Sequence, residues 1–117
     1  MDFAHDVLLF VHLLGMAALF GGAFVQVNLG ERVVNNAMLH GALTQVVTGL
    51  LLVAILESEA ASDPDVAVDH AKVGVKFGLA VVIGLLVWVN RGESIPDGLY
   101  AGLLGLTAVT VGVAVFW

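Results

Sequence analysis

Two side chains that hydrocarbon disfavours, an imidazole at His12 and an ammonium at Lys76, lie inside long apolar runs of this chain. A charge near the middle of a bilayer costs roughly 3 kcal/mol on insertion scales, so such groups turn toward protein, water or a ligand. Lys72 and Lys76 occupy the first two turns of Asp69–Asn90 (DHAKVGVKFGLAVVIGLLVWVN), and Asp69 lies on the same helix face as both, where it can partner Lys72 and leave Lys76 without a local acid. His12 and Lys76 each lie some six residues inside the outer end of their runs. At a helix rise of about 1.5 Å per residue both are about 9 Å deep, in one layer.

A shared pocket at that depth could bind a haem b through an axial imidazole from His12, with Lys76 as second ligand or as partner for a propionate. Each residue also has a plainer account. The lysine stem is long enough to carry its ammonium toward the headgroups, and a lone histidine is commonly a neutral ring bonded to a neighbouring helix. His40 and Gln26 fall toward the opposite membrane face, roughly 20 Å from His12 by the same rise, so no single iron uses both His12 and His40. No metal site is expected.

The elements that must position these residues follow from composition. The 117 residues are 60% apolar and 12% charged, with mean hydropathy +1.03, too little polar surface to coat a water-soluble globule. Four apolar runs, at about 7–29, 38–56, 70–90 and 99–117, each have the length of roughly 20 residues that a spanning helix needs. The expected fold is all-α: one integral membrane domain over 1–117, a four-helix antiparallel bundle with short loops joining spans one to two and three to four. The start, MDFAHD, lacks a basic segment and a small-residue cleavage site, so the first run is expected to stay as an anchor. The absence of cysteine excludes disulfide, thiol and iron–sulfur chemistry.

Within the spans, His5, His12, Gly15, Leu19, Gly22 and Gln26 recur at three- and four-residue steps and define one face of span one; the bulky other side, with Phe10, Leu13 and Leu14, suits lipid. In span two His40, Thr44 and Thr48 form a row at four-residue spacing beside Gly41, Gln45 and Gly49. Gln26, His40, Thr44, Gln45, Thr48 and Lys72 are thus expected in a polar interior, the hydroxyls and amides bonding across helices or to their own backbone. Gly22 in span one, the Gly74/Gly78 pair in span three and Gly102 in span four mark surfaces where helices can approach closely. The acidic second loop, ESEAASDPDVAVD, carries five of the ten acids and no lysine or arginine, whereas Arg32 and Arg91 lie in the first and third loops. By the positive-inside rule those two loops are cytoplasmic and both termini face outward. Tyr100 and Phe116–Trp117 read as interfacial anchors.

The histidine inside span one (HDVLLFVHLLGMAALFGG), the small-polar second span (LHGALTQVVTGLLL) and the lysine opening the third (HAKVGVKFGLAVV) resemble the haem-binding four-helix protoporphyrinogen oxidases and the copper-resistance D-type membrane domains. The layout is also similar to small four-helix membrane proteins of actinobacteria and archaea. The resemblance covers spans one to three and implies a haem ligand at His12 and a matched lysine at Lys76. The chain departs from the oxidases at the exit of span one, FVQVNLGERVV instead of an aromatic-rich segment, and the enzymatic activity is not carried over.

No acid–base pair, nucleophile set or phosphate loop is present, so the leading reading is a noncatalytic multi-pass protein of a prokaryotic plasma membrane. It works as a homo-oligomer or as an accessory subunit of a membrane complex, with the lipid bilayer and a membrane protein as partners and no nucleic acid. The rival readings are a haem-b-binding protein and a small-solute or ion pathway along the polar interior.

Overall fold

A computed structural model describes residues 2–65 and 67–116. It contains four helices, α1 (Asp2–Phe24), α2 (Asn36–Ser62), α3 (His70–Val89) and α4 (Asp97–Phe116), each long and apolar enough to cross a membrane. The protein is therefore all-α with the makeup of a multi-pass membrane protein. Each helix packs on its sequence neighbours and α4 returns to α1, closing a ring in which the α1–α2 pair is the most intimate. The body is 53 Å long, more than the roughly 40–45 Å of a bilayer with its headgroups. Phe10, Leu13, Leu14, Leu50, Leu85 and Val109 point away from the bundle, as lipid-facing residues do. Trp117 lies outside the described residues.

Helix ends depart from the apolar runs in two places. α1 stops at Phe24, and the chain turns through Val25–Asn28, which puts Gln26 beyond the helix. α2 continues to Ser62 because ESEAAS contains no breaker; it ends at Asp63, ahead of Pro64, where helix is disfavoured. At its start the Asn35 side chain accepts from Met38 N at 3.0 Å, an N-cap. Asp69 caps α3 in the same way, accepting from Ala71 N and Lys72 N at 3.1 and 3.2 Å.

The first and third loops meet at one end of the bundle in a clasp. β1 (Arg32–Val33) pairs antiparallel with β2 (Ser94–Ile95), and Gly92 N donates to Val34 O at 2.9 Å. Gly92 has φ +72, a left-handed conformation that glycine adopts without strain. The Gln26 amide accepts from Val33 N at 2.7 Å and donates to Val33 O and Gly22 O, both at 2.9 Å, so it behaves as an extra strand residue and as a cap for α1. Arg32 donates to Val27 O at 2.8 Å, pairs with Asp97 at 2.6 Å and lies 4.7 Å over the Tyr100 ring. Tyr100 in turn donates from its hydroxyl to Ala23 O at 2.6 Å.

Packing is uneven along the bundle. The largest fully buried side chains, Met38, Ile83, Leu103, Val34 and Val87, all belong to the clasp half. Farther from the clasp the buried side chains are polar, Gln45, Thr48 and Thr110. Between α1 and α2 the backbones nearly touch: a Cβ on Gly41 would sit 2.5 Å from Leu19 N and 2.6 Å from Gly15 O, and one on Gly15 would sit 2.7 Å from Thr44 Cγ2. Gly22 meets Asn35, Ala37 and Met38 in the same seam, as its spacing predicts. A Cβ on Gly74, Gly78 or Gly102 meets nothing within 4 Å, so these glycines take no part in packing within the chain; α3 meets α2 instead at Gly84, against Val46.

Gly41→Ala should therefore cost on the order of 1–3 kcal/mol, the usual overpacking penalty, read as a lower thermal midpoint in detergent. Gly74→Ala, placed in open space, should leave that midpoint unchanged or slightly raised.

Candidate functional site

In the half away from the clasp the four helices part around a cavity of about 270 Å³. All four contribute to its wall, and His12 and Lys76 both line it, on α1 and α3 respectively. The layer inferred from helix rise is thus a shared space. Apolar walls come from Met16, Leu52, Val73 and Phe77, and the polar lining adds Gln45 and Thr110. Two further polar residues line the cavity, His5 and Glu59.

Glu59 reaches the cavity because α2 overruns its apolar stretch. A helix of 27 residues is about 40 Å long, against a hydrocarbon core of about 30 Å. The stripe Gln45, Gly49, Leu52, Leu56, Glu59 keeps three- and four-residue steps and stays on the cavity side. That continuation was the available signal for Glu59, obscured by reading the acidic segment as loop. Outside the cavity, at the same level, His70 Nε2 contacts Glu57 Oε1 at 2.9 Å, tying α2 to α3.

His12 is held from two sides. Its Nδ1 lies 2.6 Å from Thr48 Oγ1, and its backbone oxygen accepts from Gln45 Nε2 at 2.5 Å. Thr48 Oγ1 is also 2.6 Å from Thr44 O. A carbonyl cannot donate, so the single threonine proton goes to Thr44 O, and the contact to His12 must be an Nδ1–H donation. The tautomer that follows leaves Nε2 as an unprotonated acceptor. Across the cavity Gly49 supplies the room: a Cβ there would lie 3.7 Å from His12 Cε1 and 3.6 Å from Phe77 Cδ1, ordinary contact distances.

The remaining polar positions separate into inside and outside. Gln45 and Thr48 are buried, Thr44 is half-buried against Gly15, and Lys72 is half-buried in the first turn of α3. Gln26 is buried, but in the clasp rather than in a polar seam with His12. His40 is exposed on the outer surface of α2. Four residues at about 100° each overshoot a full turn by about 40°, so the row Thr48, Thr44, His40 drifts some 80° and leaves the interior by its third member. Thr107 and Thr110 each donate to their own helix, to Leu103 O and Leu106 O at 2.8 Å. Among the described residues no buried side-chain nitrogen or oxygen lacks a hydrogen-bond partner.

Lys76 makes no hydrogen bond or ion pair among the described residues, and His12 offers one acceptor nitrogen. No group of three or more His, Asp or Glu among them could hold a metal ion. A haem finds a suitable axial nitrogen in His12 Nε2 and a cation in Lys76. The cavity's 270 Å³ lies just under the roughly 300–1,000 Å³ of pockets for drug-sized ligands, so a macrocycle held there would extend through the open side of the cavity. Comparison with protein-family models, with curated proteins and with solved structures finds no match.

Nitrogen-15 NMR of His12 should show Nδ1 protonated and Nε2 bare. Thr48→Val should abolish that preference and cost about 1 kcal/mol, the net worth of a buried hydrogen bond.

Proposed function

We propose that this chain is a noncatalytic binding module of a prokaryotic plasma membrane, holding a small ligand with an apolar body and a polar end in its outer cavity. The observation that carries this reading is the half-closed bundle. Beyond His12 and Lys76 the interior is filled by Met38, Ile83, Val87 and Leu103, so the cavity ends blind. A blind pocket with apolar walls and a few convergent polar groups is the common form of a ligand site. The same plug argues against a small-solute or ion pathway through the bundle, as does Gln26, whose amide is spent on the clasp.

The positive-inside rule orients the module with the clasp, Arg32 and Arg91 in the cytoplasm and the cavity mouth, both termini and the acidic loop outside. Its working form is a homo-oligomer or an accessory subunit of a membrane complex. The open glycine faces at Gly74, Gly78 and Gly102 support this, because small residues with no internal neighbour leave room for a second helix. The resemblance to haem-binding four-helix membrane proteins is consistent with a ligand at His12 but does not extend to catalysis.

Protein purified in mild detergent should carry a small molecule near one equivalent per chain by native mass spectrometry, and Gly49→Leu, which fills the cavity, should lose it. Native mass should exceed that of one chain; a stable monomer without a partner counts against the assembly part of the proposal. An absorption spectrum should lack a Soret band. A band that disappears in His12→Ala would replace this reading with the haem one.

A further inference from the structure

Resting on the binding-module reading, the geometry points to a small apolar carboxylic acid as the ligand, bound acid-first with its carboxyl group between Lys76 and His12. The cavity is graded along the bundle axis. His5 and Glu59 stand toward its outer end, Met16, Leu52, Val73 and Phe77 form apolar walls, and Lys76, His12 and Gln45 stand deeper.

Glu59 does not neutralise Lys76. The Glu57–His70 contact sets the relative level of α2 and α3. From it Lys76 lies six residues deeper and Glu59 two residues farther out, an axial offset of about 12 Å at the helix rise. A lysine stem covers only part of that, and no ion pair forms between them. Among the described residues the ammonium has no anion in the protein, in surroundings where an unpaired charge is costly. An anion brought by the ligand supplies the missing partner.

His12 narrows the class of anion. With Nδ1 committed to Thr48, Nε2 is an acceptor. It matches a carboxylate that binds together with one proton from solvent, shared between one carboxyl oxygen and Nε2, while the other oxygen accepts from Lys76. Gln45 is already committed to the His12 carbonyl and keeps that stretch of α1 in place. Size sets the rest. A cavity of about 270 Å³ lies just under the roughly 300 Å³ at which pockets for drug-sized ligands begin, which suits a medium-chain or single-ring acid. The carboxylate at Glu59 opposes the reverse orientation, acid at the mouth.

Octanoate, octanol and octylamine, titrated separately into the full-length protein in nanodiscs, test this. Carboxyl-labelled octanoate should bind saturably, at one site per chain, with its carbon-13 resonance shifted, and octanol should bind at least about tenfold more weakly. Lys76→Met should weaken octanoate about tenfold or more and leave octanol unchanged, while Lys76→Arg keeps most of the acid preference. His12→Gln should weaken octanoate with an intact melting profile. Equal binding of octanoate and octanol would overturn the acid assignment while leaving the cavity as a ligand site. Preference for octylamine would reverse its sign. Failure of all three to bind saturably would remove the acid assignment and the binding-module reading together. A Lys76→Met variant that binds octanoate like the parent would show that the carboxyl group lies elsewhere.

Discussion

Helices in lipid gain nothing from the hydrophobic effect by packing against one another, so something else must hold them together. Here it is the near contact of two backbones, with Gly41 laid against Leu19 and Gly15 at distances that exclude even a methyl group. That seam fixes the rotation of α1 and α2 about their axes. It therefore decides that Gln45 and Thr48 face inward, that Thr48 meets the ring of His12, and that Phe10 and Leu14 point away from the bundle. The polar grouping depends on the glycines more directly than on any polar interaction of its own.

A second constraint acts at right angles to the first. The clasp joins loops from two separate hairpins through main-chain pairing and through Arg32, which meets the Gln26 and Val27 carbonyl oxygens in the turn after α1, the Asp97 carboxylate and the Tyr100 ring. An arginine that reads in sequence only as a marker of orientation is thus also a structural tie. Aliphatic packing collects beneath this tie, and the far half keeps space and polar groups instead. A bundle packed evenly from end to end would have no room near Lys76.

What could be read in the sequence was what helical geometry controls. The four helices, the inward stripe of α1 from His5 to Gly22, and the common depth of His12 and Lys76 follow from length, periodicity and rise, and the fold keeps them. The readings that changed depend on departures from uniform helix. Gln26 left the stripe because α1 ended early, Glu59 joined the cavity because α2 ended late, and His40 rotated out of a row that a straight four-residue count had kept in line. The clasp could not be foreseen from segments of two residues, whose pairing is decided by which loops the bundle brings together. The glycines of α3 and α4 read like those of α1, yet only a three-dimensional neighbour distinguishes a glycine in a seam from one in open space.

Because the main-chain tie sits at one extremity, the bundle has the mechanics of tongs. A rod of 20 residues measures about 30 Å, so a swing of some 3° about the tied end displaces the free tip by roughly 1.5 Å. At that lever length a small difference of angle at the joint becomes a much larger difference of width at the cavity mouth.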